Sequence, residues 1–212
     1  MAIDDLLDEH EQGERVRSWL RRNGGALLGG ICLGLALILG WQWWQKHTHT
    51  QLAEANQRYD AVVKSIQAKQ LDKAVKDMAA LDADKAGVYG ELAALRLAKA
   101  QVEAGKQQDA IKTLRNVPTE GELKLVVEQR LARLLIDTGK PDEAAQRLAD
   151  AQDNTSLEIR ADALFAQGKR DQARDLYAKA LATVDVASPQ RRLLETKLMD
   201  VGGKVPDPAE PI

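Results

Sequence analysis

The chain has 212 residues, with 30 Lys and Arg against 32 Asp and Glu and a formal net charge of -2. Its 44% of apolar residues is enough to bury a core in one domain or in two small ones. Nucleic-acid-binding proteins carry a basic stripe, and this balanced charge leads us to expect no nucleic acid among the partners. A single cysteine excludes an intramolecular disulfide framework and any multi-cysteine metal site.

One apolar segment near the N-terminus has the composition of a membrane span. Residues 23–45 contain no charged side chain. At a rise of ~1.5 Å per residue they give roughly 34 Å of helix, against a hydrocarbon thickness of ~30 Å. Trp41, Trp43 and Trp44 cluster at one end, where indole rings favour the membrane–water interface. We therefore predict one helix over residues 23–45 that spans the lipid bilayer, with Cys32 inside it.

The charged residues on either side of this span predict its orientation. Residues 15–22 carry four arginines and no acidic residue, whereas Lys46 is the one charged residue between the span and Glu54. The positive-inside rule then makes residues 1–22 a short cytoplasmic segment and places the rest of the chain across the membrane. A cleavable signal peptide is the alternative. It is disfavoured because the apolar run exceeds the usual ~7–15 residues and the nearest small-x-small site, at residues 53–55, lies well beyond its end.

The sequence after residue 50 is rich in helix-forming residues and contains an internal repeat. Three glycines are each followed by lysine, by alanine after five residues and by a large residue after nine, and alanine precedes each by seven. The three sets are Ala98, Gly105, Ala110 and Leu114; Ala132, Gly139, Ala144 and Leu148; and Ala161, Gly168, Ala173 and Tyr177. This pattern predicts helical hairpins, because glycine ends the first helix and the alanines let the two helices cross closely. The hairpins must stack, since each leaves an apolar face open.

A weaker copy of the same pattern precedes these three. Ala74 and Met78 take the second-helix positions if Lys69 stands where the glycine should be, and Val62 then takes the place of the small residue. The resulting prediction is an all-α solenoid of four hairpins. Their expected bounds are residues 52–81, 85–117, 121–151 and 155–183.

The region after the hairpins is predicted to contain one more helix and a tail. Ser188 followed by Pro189 is typical of a helix start, so a helix to about Asp200 is expected to cap the stack. The helical-repeat domain then covers residues 46–200. The Pro-rich residues 201–212 are predicted to form a disordered tail.

The offsets of the small residue, the glycine, the second-helix alanine and the large residue resemble the tetratricopeptide repeat. A third small residue of that pattern appears as Ala151 and Ala180, with Val117 at the equivalent place in hairpin two. The chain departs from the pattern in three ways. No copy has the tryptophan expected early in the first helix, and the terminal proline position is unfilled. The 29 residues between Gly139 and Gly168 are also short for a repeat of about 34 residues. A plain helical bundle is the alternative fold.

The N-terminal arrangement narrows the resemblance to one family. An acidic start with the run Glu9-His10-Glu11-Gln12 is followed by RSWLRRNGG at residues 17–25 and by an apolar span that closes in Gly40-Trp41. Together with Tyr59 in the first repeat helix, these features are similar to the YfgM family. The resemblance implies a bacterial inner-membrane protein whose periplasmic repeat domain serves as an ancillary subunit of the Sec translocon. It also implies work beside the membrane-anchored periplasmic chaperone PpiD, with secreted client chains as further candidate partners.

The sequence contains no recognisable enzyme or cofactor motif. A Gly-rich phosphate loop, a Ser-centred elbow and a zinc-protease helix are all absent. His47 and His49 could hold a metal loosely, but no third ligand lies near them in the sequence. We interpret them as polar residues at the membrane edge, and we expect a protein that is not an enzyme and needs no cofactor or metal.

The first helices of the predicted hairpins are expected to line a protein-binding groove. Converging Lys and Asn side chains of the kind that clamp a peptide's terminal carboxylate are missing from these helices. A groove of apolar and mixed-charge residues suits an extended or helical protein segment. The candidate binding residues are Tyr59, Lys99, Gln129, Arg133, Asp162 and Phe165.

Two functions from different classes remain open at this point. The first is the translocon-associated scaffold that the family resemblance implies. The second is a membrane-anchored adaptor for an envelope-assembly or division complex unrelated to translocation. Self-association of the span through Gly30 and Gly34, one small-xxx-small pair, is a weaker third.

Overall fold

The computed structural model describes residues 2–81, 87–117 and 123–205. The chain divides into two compact units, Met1–Ala53 and Glu54–Ile212. Across the described ranges it forms nine α-helices and no strand. The helices are α1 (Ala2–Gln67), α2 (Leu71–Ala79), α3 (Val88–Glu103), α4 (Gln107–Arg115), α5 (Lys124–Asp137), α6 (Pro141–Arg147), α7 (Asn154–Ala166), α8 (Arg170–Ala182) and α9 (Pro189–Asp200).

The first unit consists of the N-terminal part of α1. Its segment Arg17–His47 is long and apolar enough to cross a membrane, judged by length and composition. The large aliphatic side chains of residues 27–39 are 45–67% exposed, so this surface has no protein cover within the unit. Near the end of the segment, the Trp43 and His47 rings stack with their centroids 5.7 Å apart. His49 was considered with His47 as a metal ligand, and its side chain is outside the part of the chain that the structure describes.

The second unit is a stack of four helical hairpins followed by one more helix, which confirms the predicted all-α repeat fold. The last part of α1 forms hairpin one with α2, where Ser65 Oγ donates to Asp77 Oδ2 at 2.5 Å. The other hairpins are α3 with α4, α5 with α6, and α7 with α8, and α9 packs against α8. Neighbouring first helices also touch, α3 with α5 and α5 with α7.

Each hairpin turns at a residue in the left-handed backbone region. The values of φ are +57° at Lys69, +74° at Gly105, and +77° at Gly139 and Gly168. The N–H of the following residue donates to the carbonyl oxygen five residues earlier, over 2.7–2.9 Å, at all four turns. This bond satisfies a carbonyl that the helix end would otherwise leave without a partner. The prediction that Lys69 stands in the place of a glycine is therefore confirmed.

The small residues of the repeat pattern lie where helices cross. All eight are at most 3% exposed, which allows the close approach that a larger side chain would prevent. They are Val62, Ala74, Ala98, Ala110, Ala132, Ala144, Ala161 and Ala173. The large residues Leu114, Leu148 and Tyr177 are each at most 2% exposed. Leu114 and Leu148 belong to the hydrophobic cluster that joins hairpins two, three and four, and Tyr177 belongs to the cluster that joins hairpin four to α9.

The short spacing between Gly139 and Gly168 is shared by the second helix of hairpin three, the connection that follows it and α7, which has 13 residues against 14 in α5. Helix α6 has 7 residues, against 9 in α4 and 13 in α8. Pro141 stands in its first turn, where its missing N–H costs no hydrogen bond. The next first helix, α7, begins after Asp153, whose side chain accepts from the N–H of Ser156 at 3.0 Å.

Helix α9 begins as the sequence predicts and covers one end of the stack. Ser188 accepts a hydrogen bond from the N–H of Gln190, and Pro189 is the first helical residue. Leu194 and Leu198 are 2% and 1% exposed and pack into the cluster around Tyr177. Packing continues beyond the helix, because Val201 and Val205 belong to the same cluster. The rest of the predicted tail, residues 206–212, lies outside the described part of the chain.

Candidate protein-binding groove

The first helices of the hairpins bury one face and leave the other open. In α3 the buried side chains include Ala94, Leu97 and Ala98, whereas Leu95 is half-buried and Lys99 is exposed. Since neighbouring first helices touch, their open faces lie side by side and form a surface that runs along the stack.

All six predicted binding residues lie on first helices at related distances from the turns. Tyr59 and Gln129 stand ten residues before the positive-φ residue of their hairpin, Lys99, Arg133 and Asp162 stand six before, and Phe165 stands three before. The Lys99 side chain is 77% exposed and Phe165 is 44% exposed. The other four are half-buried. The structure thus places the six residues at matching register, although their contacts differ strongly.

Tyr59 joins hairpin one to hairpin two. Its ring lies 5.8 Å from that of Tyr89, centroid to centroid, and the Arg96 guanidinium carbon lies 5.8 Å from the Tyr59 centroid. Both tyrosines pack against the cluster around Val62. The ring is therefore part of the wall between two first helices, and the guanidinium on its face is held by a cation–π contact.

Gln129 is held by the start of the neighbouring first helix. Its Nε2 donates to Asp153 Oδ1 at 3.0 Å and to Ser156 Oγ at 2.9 Å. The same Asp153 oxygen caps α7. The amide therefore ties α5 to α7, and its donor group is engaged within the chain.

Asp162 belongs to a charged network that α9 completes. Lys197 Nζ donates to Glu158 Oε1 at 2.6 Å and to Asp162 Oδ1 and Oδ2 at 2.8 Å. The Tyr177 hydroxyl donates to Asp162 Oδ1 at 2.6 Å. Burial raises the pKa of Tyr177, and the hydrogen bond to the Asp162 carboxylate raises it further. The Glu158 and Asp162 carboxylates at this end thus have hydrogen-bond partners within the chain.

Phe165 keeps an open ring face beside a cation. The Arg170 guanidinium carbon lies 5.7 Å from its centroid, and Arg170 also donates to the carbonyl oxygen of Asp200 at 2.8 Å. Phe165 is one of a row of large apolar residues, one in each hairpin, that stand three residues before the turn. The row is Ile66, Val102, Ile136 and Phe165. The groove therefore offers apolar contacts along its length.

Two groove residues were missing from the prediction. Arg96 and Arg130 are exposed and stand nine residues before Gly105 and Gly139. The signal that could have found them is their identical offset from the two glycines, 34 residues apart. Across the described ranges, no group of three His, Cys, Asp or Glu residues could hold a metal ion. The arrangement presents charge and apolar surface for binding.

The sequence profile of the tetratricopeptide repeat-like domain family matches residues 17–203. The chain belongs to this family. The match covers all four hairpins and α9, and it confirms the repeat resemblance that the glycine and alanine offsets indicate.

Three relatives share a name and extend the similarity over most of the chain. The ancillary SecYEG translocon subunit of Escherichia coli K12 is 26% identical over 198 residues, covering 90% of this chain and 95% of that protein. The protein of the same name from Haemophilus influenzae Rd is 26% identical over 145 residues, covering 67% and 71%. That from Aggregatibacter actinomycetemcomitans is 22% identical over 205 residues, covering 91% and 97%. These similarities confirm the resemblance to the YfgM family.

A solved structure supports the fold. A point-substituted form of a Podosopora anserina putative kinesin light chain with nearly identical TPR-like repeats superposes with a TM-score of 0.51. The superposition covers 71% of this chain and 85% of that one, at 19% identity. At this identity the likeness concerns the fold alone.

Proposed function

We propose that the chain is a membrane-anchored, non-enzymatic protein-binding scaffold that serves as an ancillary subunit of the Sec translocon. One observation carries the proposal: open first-helix faces form a groove in a chain that matches ancillary SecYEG translocon subunits over up to 91% of its length. Such a groove suits a protein segment, because it combines the apolar row with exposed charged groups. The repeat-like fold and the names of the relatives support a scaffold without a catalytic role.

The anchor is proposed to hold the repeat domain at the bacterial inner membrane. Residues 23–45 would act as a signal anchor, residues 1–22 would remain in the cytoplasm, and the repeat domain would lie in the periplasm. The arginines of residues 15–22 support this orientation through the positive-inside rule. Tethering raises the effective concentration of the groove near membrane-bound partners, so useful occupancy does not need tight contacts.

The groove is proposed to link the translocon to periplasmic chaperones such as PpiD and to secreted client chains. The family resemblance supports this assignment, and the groove geometry is compatible with it. Weak, exposed contacts favour rapid exchange between a chaperone and an emerging chain, because few side chains need to be desolvated.

Affinity purification of the tagged full chain from solubilised membranes tests the proposal. We expect translocon subunits and a periplasmic chaperone to co-purify with the native chain, as measured by quantitative mass spectrometry. Charge reversal in the groove, Lys99→Glu with Arg133→Glu, should reduce their recovery, because it changes the charge that partners meet.

The matched control reverses two exposed lysines on second helices, Lys76→Glu with Lys112→Glu, and should leave recovery unchanged. Recovery of envelope-assembly or division proteins in place of translocon subunits would reject the proposed role and favour the adaptor alternative. Unchanged recovery with the groove variant would reject the groove as the binding surface.

A further inference from the structure

The open faces of α3 and α5 carry the same kind of side chain at the same two positions. Arg96 and Arg130 stand nine residues before the glycine of their turn, and Lys99 and Arg133 stand six before it. The two helices touch, and the equal offsets place the two pairs at the same register on them. Packed helices lie ~8–10 Å apart, and residues three apart on a helix share a face. We call these four residues the basic strip.

The charge of the basic strip is weakly compensated by its surroundings. Lys99 Nζ lies 3.7 Å from Glu103 Oε1, with side chains 77% and 65% exposed, an arrangement of small energetic value in water. Arg96 rests on the Tyr59 ring, which orients the cation without neutralising it. Glu103 and Asp137 are acidic residues that stand two residues before the turns of the same two helices. The four cations of the basic strip therefore exceed these two acidic residues by two.

At the α7 end of the stack, by contrast, the charged side chains contact one another. Lys197 Nζ of α9 lies 2.6 Å from Glu158 Oε1 and 2.8 Å from Asp162 Oδ2 on α7. These carboxylates therefore already contact a cation of the same chain. Beside the basic strip stand the half-buried Val102 and Ile136, three residues before each turn. The middle of the groove thus combines excess positive charge with apolar contact.

We propose that the basic strip binds an acidic segment of a partner protein, in which every third residue carries a carboxylate and the residues between are apolar. The inference rests on the proposed function as a protein-binding scaffold and adds the chemistry of what the groove binds. In the polyproline II conformation a segment completes one turn in three residues and advances ~3.1 Å per residue, so carboxylates three residues apart share one face and lie about 9 Å apart. This matches the separation of neighbouring first helices. The apolar residues between the carboxylates would meet the apolar row.

Peptide binding to the purified full chain tests the inference. The chain is reconstituted in phosphatidylcholine nanodiscs, and fluorescence anisotropy reports binding of two labelled peptides of about twelve residues, enough to cross three first helices in extended form. The first carries Asp at every third position with Leu and Val between, and the second carries Lys in place of each Asp. We expect the acidic peptide to bind at least tenfold more tightly than the basic one.

Two variants assign the binding to the basic strip. Lys99→Gln with Arg133→Gln should weaken binding of the acidic peptide roughly threefold to tenfold, as expected for the loss of two solvent-screened ion pairs. The control, Lys76→Gln with Lys112→Gln on α2 and α4, should leave the affinity within about twofold, because these lysines lie off the first helices. Melting temperatures by circular dichroism show that both variants stay folded.

Four outcomes would overturn the inference. The first is equal affinity for the two peptides, and the second is an equal loss of affinity in the control variant. The third is an affinity that does not change in roughly 0.5 M salt. The fourth is displacement of the peptide by phosphatidylglycerol nanodiscs, because the ligand would then be an anionic bilayer. Tight acidic-peptide binding without translocon co-purification would reject the proposed role alone. Translocon co-purification without acidic-peptide binding would reject this inference alone.

Discussion

In the described part of the chain, Lys69 is the one non-glycine residue with a positive φ. Mutation can measure how much this backbone conformation destabilises the folded state. A side chain in the left-handed region costs roughly 1–2 kcal/mol, which glycine avoids. We expect Lys69→Gly to raise the free energy of unfolding by about 1 kcal/mol, net of the extra flexibility of glycine in the unfolded chain. Urea titration of the full chain in detergent, followed by circular dichroism, measures the change.

Gly105→Ala is the matched control for this turn, because it places a side chain at φ +74° where space is open. We expect it to lower the free energy of unfolding by about 1 kcal/mol. Destabilisation by Lys69→Gly would contradict the assignment of Lys69 to the glycine position of the repeat.

Tyr177 gives the repeat domain a pH dependence on the alkaline side. Its folded pKa is raised above the ordinary value of 10.0, so the stability that depends on its neutral hydroxyl is complete below that pH and is lost as the pH rises above it. We expect the free energy of unfolding to fall above pH 10.0 and tyrosinate absorbance to show one of the 3 tyrosines titrating late. Tyr177→Phe should reduce this dependence. Titration of all tyrosines together in the folded protein would contradict the assignment.

Sequence pattern predicts burial at single residues better than it predicts polar contacts. Ala110 and Tyr177 follow from their offsets to glycine, because helix geometry fixes which face they share. The partners of Gln129 and Asp162 do not follow in this way. Gln129 meets Asp153, and Asp162 meets Lys197, 24 and 35 residues further along the chain. Such pairs depend on how three helices pack together.

Helix α9 is the element whose packing is most directly testable. Leu194 is 2% exposed in the cluster with Tyr177, whereas its neighbour Leu193 is 54% exposed. We expect Leu194→Ala to lower the free energy of unfolding by about 2–5 kcal/mol, the range for a large side chain removed from a core. Leu193→Ala should change it by less than about 0.5 kcal/mol. Thermal unfolding of the full chain checks both, and equal effects would contradict the capping role of α9.

The lengths of the elements could be predicted in part. The 29 residues between Gly139 and Gly168 indicate that one repeat is short, and Pro141 marks the start of its second helix. The pattern does not say which helix shortens, because a deletion in α6, in the following loop or in α7 would give the same spacing. In the structure the difference is distributed, because α6 is two residues shorter than α4, α7 is one residue shorter than α5, and the connection between them is also shorter.

At the scale of the whole molecule, the two units serve different purposes. The segment Arg17–His47 has an exposed apolar surface that a bilayer would cover, and the first helices of the hairpin stack carry exposed charged side chains. Composition predicts the first well, because a membrane span is a property of a continuous run of residues. The groove is harder to predict, since it arises from the register between repeats and from the charges that α9 closes off.

Photocrosslinking in the intact membrane tests whether the first-helix faces contact translocon subunits and a periplasmic chaperone. Photoreactive amino acids are placed on first helices at Val102 and Phe165, with controls on second helices at Lys112 and Lys179. Mass spectrometry identifies the adducts. We expect the first-helix positions to form adducts with translocon subunits and a periplasmic chaperone, and the control positions to form few. Adducts confined to division or envelope-assembly proteins, or equal yields from both sets of positions, would contradict it.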